Sequence, residues 1–488
     1  MQEINTIMEQ SQAAFRTYSQ LPAAVRAQFL ETVAAEIEAR REQLVTIAGA
    51  ETNLPAARLN NEINRTNNQL KMFAAYIREG SWVEAAIDTA DAARVPAKPD
   101  TRKMLLPAGP VVVFGASNFP FAFSTAGGDT ASALAAGCTV VVKAHSAHSG
   151  TSREVFTAIL KAIAACGMPE HTVQHVEIPG HATGKALVAH PLTTGVGFTG
   201  SLQGGKALLE YAAGRENPIP VFAEMSSINP VVFYPDTLSQ NADTLAKSYA
   251  ASITLGMGQF CTNPGLLLAI GSEATDNFLR LLADEIEKTI PQKMLHSGIH
   301  ASYVRTMETV LSQDGTVLLK TAAQPAQELE ATPAVARVNA AQFLQNPHLQ
   351  EEVFGPFSLA VICEDKTALK QVLATLKGQL TTTAMATPAD LETHADILAL
   401  QTTLAGRIIL NDVPTGVEVN ASMVHGGPFP ATTDARFTSV GTTAARRWVR
   451  PVCFQGFTDA LLPEALRNSN PLGILRIVNN EWTKSPVV

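Results

Sequence analysis

Cysteine is scarce in this chain of 488 residues, and no two cysteines are close enough to form a Cys-x-x-Cys pair. Cys138, Cys166, Cys261, Cys363 and Cys453 are scattered instead. That spacing argues against a zinc ribbon or a redox pair. The odd count suggests reduced thiols in a reducing compartment. Long hydrophobic runs are also missing: none approaches the ~18–20 apolar residues that cross a bilayer. Positive charge is in deficit, with a net −8 and a pI near 5.8. This argues against nucleic acid or an anionic membrane surface as the main partner. The opening stretch MQEINTIMEQSQAAFRTYSQ has an early acid and no apolar segment, so it does not read as a signal peptide. The expectation is a cytoplasmic protein.

Several motifs are absent too. There is no HExxH, and no GxGxxG follows an early strand. GHATGKA (180–186) has three residues between its glycines rather than four, and Ala186 where a P-loop carries Ser or Thr. His145 and His148 have no carboxylate or thiol at ligand spacing, so no metal is expected. Internal repeats and low-complexity linkers are lacking.

What remains is an ordinary globular composition, 46% hydrophobic, long enough for two or three domains. Val25, Phe29, Val33 and Ile37 recur at four-residue spacing, predicting an amphipathic helix with Pro22 in its first turn. The polar, Pro-containing stretch 85–101 suits a loop or exposed hairpin. Short apolar runs then alternate with helical stretches: Val111 to Phe114, 139–146, 171–180, 193–201, 220–226 and 229–235. That alternation predicts an α/β fold with a buried parallel sheet. A second alternating region spans 238–410, with helices at 277–288 and 366–377 and strands at 358–362 and 407–410. The tail after Pro451 reads as irregular.

One cysteine stands apart. GMGQFCTNPG (256–265) sets Cys261 among glycines and before a Thr-Asn-Pro-Gly turn. A nucleophilic thiol needs access and a stabilised thiolate, and this setting allows either a catalytic or a structural cysteine. The other four read as small buried hydrophobes. GFTGSLQGG (197–205) follows a strand and opens a helix, as a phosphate-binding turn does, although a plain turn fits equally.

Six separated pieces together resemble the aldehyde dehydrogenase superfamily. They are ASNFP (116–120), VVVK (140–143), GFTGS (197–201), AEMSSINP (223–230), GQFC (258–261) and EEVFGP (351–356), in that order. Residues 114–152 and 424–455 resemble the branch that contains α-ketoglutaric semialdehyde dehydrogenases. A related branch that oxidises long-chain fatty aldehydes with NADP stays open.

The resemblance implies a Rossmann-type cofactor domain, an α/β catalytic domain and a small oligomerisation arm. The expected boundaries are 1–84 and 107–226 for NAD(P) binding, 227–445 for catalysis, and 85–106 with 446–488 for oligomerisation. Cys261 is implied as nucleophile, Glu224 as general base with a raised pKa, and Asn118 as an oxyanion donor beside the Cys261 amide. Lys143, Ser146, Gly180, Gly184, Gly200, Ser201, Glu352 and Phe354 are implied to bind the cofactor. Ser146 stands where NAD-selective relatives often carry Glu, so NADP is allowed and slightly favoured over NAD. His145 and His181 are possible helpers. Phe121, Phe123, Phe260 and Phe429 are expected at the substrate mouth. The Glu224-Met225-Ser226-Ser227 stretch replaces a glycine pair common in the family. The implied partners are a small aldehyde and further copies of the chain, as a homodimer or homotetramer.

Overall fold

The computed structural model describes residues 2–487. The first α/β unit is a five-stranded, all-parallel sheet. Its order is Val173–Val176, Val140–Lys143, Val111–Phe114, Gly195–Thr199 and Val221–Glu224. Successive side chains of a strand point to opposite faces, and here both faces are covered. Val111, Val113, Val140 and Val142 join Phe29, Leu70, Leu134 and Ile159 on one side. Val112, Val141 and Val176 meet Ile4, Met8 and Leu187 on the other. These runs read as strands because a sheet buried on both faces needs no polar alternation. The strand order reverses between Val111–Phe114 and Gly195–Thr199, and a ligand crevice opens beyond the carboxyl ends at such a point.

The second unit is a seven-stranded sheet. In order it contains Val317–Thr321, Ala334–Asn339, Phe357–Cys363, Leu266–Ile270, Val231–Phe233, Gln379–Met385 and Ala405–Leu410. Only the edge strand Val317–Thr321 runs antiparallel. The chain passes between the two sheets after Glu224 and before Val231.

The expected hairpin exists: Ala86–Asp88 pairs antiparallel with Thr101–Pro107. The tail differs from the irregular reading. Val449–Gln455 is a strand, paired residue for residue with Thr101–Pro107. It lies at a sheet edge, where Pro451 costs no ladder hydrogen bond. Cys453 lies on this strand and is exposed, and Cys166 is only partly buried; Cys138 and Cys363 are buried as expected. Pro22 precedes the Ala23–Glu38 helix at its cap rather than entering its first turn.

Residues between the second sheet and this tail strand return to the first sheet. Val221–Glu224 is an edge strand, and the returning segment caps it. Met225 N donates to Ala431 O (2.8 Å), and Thr433 N donates to Ala223 O (3.1 Å). The segment is anchored by Trp448, 1% exposed, whose Nε1 donates to Ser132 Oγ at 2.8 Å. The strand makes room for it: a Cβ on Gly197 would lie 3.1 Å from the indole and 2.8 Å from Asp129. The Arg447–Asp129 ion pair, 2.7 Å long, closes the same contact. Trp448→Ala should therefore lower the unfolding free energy by about 3–5 kcal/mol. Urea denaturation measures it, and a loss below about 1 kcal/mol, a surface-like value, would contradict this anchoring.

Candidate active site

Cys261 follows a turn with no freedom to wander. Gly256, Met257 and Gly258 have φ of 53°, 54° and 61°, three left-handed residues in succession. Gly258 tolerates no side chain, because a Cβ would sit 2.2 Å from Gly355 O. Gln259 staples the turn: its Nε2 donates to Gly256 O (3.0 Å) and its Oε1 accepts from Leu295 N (3.0 Å). Asn229 Nδ2 donates to the carbonyls of Cys261 and Asn263, both at 2.9 Å. The glycines thus serve close packing and backbone shape.

Asn118 is 8% exposed, and its Nδ2 donates to Gln259 O at 3.1 Å. An amide nitrogen has two hydrogens, so one remains for a ligand. Its loop is held from the Ala56–Glu79 helix. Arg58 Nη2 donates to Asn118 O (2.8 Å), and buried Glu62 accepts from Phe121 N (2.8 Å) and Ala122 N (3.0 Å). Phe123 and Phe260 lie near this loop. Phe121 is a core residue at 1% exposure, and Phe429 is 54% exposed.

Glu224, 3% exposed, ends the last strand of the first sheet. Two donors come from the capping segment and were not foreseen. His425 Nε2 lies 2.9 Å from Glu224 Oε1, and Ser439 Oγ donates to Oε2 at 2.8 Å. Cys261 Sγ lies 3.4 Å from the same His425 nitrogen. Ligand atoms of Glu224, Cys261 and His425 all fall within 4.8 Å of one another. An ionised carboxylate only accepts hydrogen bonds, so the short contact places the imidazole hydrogen on Nε2. His425 Nδ1 is buried without a partner among the described residues.

This geometry corrects the expected pKa of Glu224. Burial pushes it up, but His425, Ser439 and the Cys261 thiol together outweigh burial and hold it below the ordinary carboxylate value. The thiol moves the other way. Burial, and next the adjacent Glu224 charge, push Cys261 well above its ordinary value. The pair at rest is therefore carboxylate plus thiol, a group able to accept a proton beside one able to give it.

The implied cofactor residues from Lys143 to Ser201 lie on the strands and helices at the carboxyl edge of the first sheet. Lys143 ends its strand, half-buried, with Nζ donating to Ala144 O (3.0 Å) and its pKa lowered by burial. Ser146 is exposed just beyond. Gly180 caps the His181–Ala189 helix at φ 99°, with open space where a Cβ would be. Gly184 instead packs against Phe114, and a Cβ on Gly200 would strike Phe198 at 2.6 Å, so both make room for protein. Ser201 caps the Leu202–Ala213 helix, its Oγ accepting from Gly204 N (3.1 Å), and is itself exposed. His145 turns its Nδ1 to its own backbone, accepting from Ala147 N, and His181 is exposed. Glu352 and Phe354 line a separate cleft with Ser227 and Phe260. Desolvation raises Glu352 to about 7, against hydrogen bonds from Ser226 and Ser227.

The chain belongs to the aldehyde dehydrogenase family, whose profile it matches over residues 1–427. It is accordingly an NAD(P)-dependent aldehyde dehydrogenase. It is 48% identical to alpha-ketoglutaric semialdehyde dehydrogenase 2 of Azospirillum brasilense, over 97% of this chain and 91% of that one. It is 44% identical to alpha-ketoglutaric semialdehyde dehydrogenase of Acinetobacter baylyi, over 99% and 92%. Betaine aldehyde dehydrogenase of Staphylococcus aureus shares the fold at 18% identity, with a TM-score of 0.79 over 95% of this chain and 89% of that one. No helix among the described residues is long and apolar enough to cross a membrane.

The carboxylate–thiol pairing has a direct readout. Inactivation by iodoacetamide should be slow at neutral pH and keep rising above the ordinary thiol range, about pH 8.5. Glu224→Gln removes the charge that opposes thiolate formation, so its profile should move to lower pH. An unmoved or upward-shifted profile would contradict the coupling.

Proposed function

We propose that this enzyme oxidises α-ketoglutaric semialdehyde (2,5-dioxopentanoate) to 2-oxoglutarate. The observation that carries the chemistry is the Cys261 thiol held against the buried Glu224–His425 pair. Near-full-length identity to two enzymes of that name supports the substrate.

Cys261 Sγ adds to the aldehyde carbon as Glu224 takes the thiol proton. The negative oxygen that forms is met by the free hydrogen of Asn118 Nδ2 and the Cys261 amide, and such a donor is worth about 10²–10³ in rate. A nicotinamide held at Glu352 and Phe354 would supply the two-electron oxidant for that carbon, and Cys261 would then carry the acyl group as a thioester. Glu224 sheds its first proton to solvent and then takes one from the attacking water. The carbon–sulfur bond breaks, the carboxylate leaves, and the thiol is restored. His425 and Ser439 keep Glu224 oriented, and charged before each proton transfer.

The carboxyl edge of the first sheet suits a dinucleotide. Lys143 retains donors for the adenosine ribose, and Gly180 leaves open space. Exposed Ser201 opens a helix whose amides attract phosphate. Glu352 and Phe354 serve the nicotinamide end. Ser146 offers a hydroxyl where a carboxylate would repel a 2′-phosphate, so both cofactors are accepted, with NADP slightly favoured. Residues 1–84 with 107–226 then bind the cofactor, and 227–445 supply the catalytic domain. Segments 85–106 and 446–488 join protomers into a dimer or tetramer. Leu461 (71% exposed) and Trp482 (67%) on that arm support this use.

Absorbance of reduced cofactor tests the reading, using the semialdehyde and straight-chain aldehydes, each with NAD and NADP. The semialdehyde should give the highest kcat/KM, and NADP the lower KM. Preference for long chains would move the enzyme to fatty aldehydes. Folded enzyme that turns over none of them would overturn the assignment.

A further inference from the structure

The Ala56–Glu79 helix carries Arg58 and Arg65, seven residues and nearly two full turns apart, so both emerge on one face. That face looks onto Phe119, Phe123 and Phe260 around the Asn118 loop. Arg58 is already engaged. It donates to Asn118 O, and its guanidinium lies 4.6 Å from the Phe260 ring and 5.2 Å from Phe119. Arg65 lies 5.5 Å from Phe123 and 6.0 Å from Phe119. Phe123 in turn is 6.4 Å from the His425 ring.

Arg58 and Arg407 each keep one buried nitrogen unpartnered but spend others on backbone carbonyls, whereas the Arg65 side chain makes no hydrogen bond among the described residues. Its Nε is enclosed with no hydrogen-bond partner among the described residues. Burial lowers its pKa, and Cys261, Glu62, Glu224 and Glu418 pull it back up when they are ionised, so the guanidinium sits within electrostatic reach of a Cys261 thiolate. Glu62 spends Oε1 on the Phe121 and Ala122 amides. Arg407 also feels Cys261, but its two terminal nitrogens are occupied by Gly416 O (2.8 Å) and Pro414 O (2.6 Å). A half-buried guanidinium without a partner is costly to keep, and its planar fork matches a carboxylate.

We propose that Arg65 is the specificity residue of this site. Its guanidinium binds the carboxylate at the far end of the substrate while the aldehyde carbon rests on Cys261 Sγ. The inference rests on the keto-acid semialdehyde reading above. Phe119 and Phe123 stack beside the guanidinium and limit its motion, so the fork is already aimed when substrate arrives. Arg58, tied to the Asn118 loop, serves every aldehyde alike. Arg65 serves those that carry an acid.

The test compares wild type, Arg65→Met and Arg65→Lys on the semialdehyde and on pentanal, a neutral aldehyde of equal length. Arg65→Met should lose about 10–100-fold in kcat/KM for the semialdehyde, mainly through KM, the size of one charge-assisted contact. Its kcat/KM for pentanal should fall clearly less than for the semialdehyde, through kcat and least at high pH, since there only the Arg65 charge that favours the Cys261 thiolate is lost. Arg65→Lys should recover part of the loss. A second readout is inhibition of pentanal oxidation by 2-oxoglutarate, whose Ki should rise about tenfold or more in Arg65→Met. Equal losses on both aldehydes through kcat would make Arg65 a support of the Asn118 loop and overturn the proposal. So would a semialdehyde preference that survives Arg65→Met. A wild type that prefers pentanal would refute the substrate reading instead, and the 2-oxoglutarate Ki would then decide on the anchor alone.

Discussion

A carboxylate removed from water must be met by donors or it takes up a proton. At Glu224 the donors are His425, Ser439 and the thiol of Cys261. This one satisfied charge depends on three regions of the chain. The first sheet places Glu224 at the end of an edge strand, the turn before the second sheet's Leu266–Ile270 strand supplies Cys261, and the segment capping the edge brings His425 and Ser439. Were the capping segment loose, Glu224 would lose two of its donors, and burial would drive it toward the neutral acid that cannot serve as a base.

The same logic explains why so much backbone is committed around the site. The left-handed run from Gly256 to Gly258 and the Gln259 staple fix where sulfur points. Arg58 and Glu62 fix the loop bearing Asn118. Trp448 and the Arg447–Asp129 pair hold the returning chain against the sheet. Reaction geometry is sensitive to displacements of about 1 Å. The proposed nucleophile, oxyanion donor and base, drawn from separate segments, therefore need this much support.

The sequence made some of this legible and hid the rest for physical reasons. Val111–Phe114 and Val140–Lys143 could be read because strands buried on both faces are continuously apolar. Cys261 stands out because a structural cysteine does not need glycines and an Asn-Pro-Gly turn around it, although the stretch alone leaves both roles open. His425 and Arg65 could not be read. One lies in an aperiodic segment, VHGGPFPATTD, and the other on an ordinary helix, and only tertiary pairing brings them to the site. A histidine beside two glycines, with no helical or strand period around it, was the available signal. The Glu224 pKa was misjudged because burial was visible in the motif and the compensating donors were not. The tail strand escaped notice because an edge strand tolerates Pro451 and polar alternation.

The central claim is that Cys261 carries the acyl group and Glu224 delivers the water that releases it. Rapid mixing of Glu224→Gln enzyme with semialdehyde and NADP, at a pH where its Cys261 thiol ionises without a base, followed by intact-mass analysis, tests this directly. The account predicts one burst of reduced cofactor matching the enzyme concentration, a covalent adduct on Cys261, and little further turnover. Sustained turnover at the wild-type rate, or a burst without any adduct on Cys261, would contradict it.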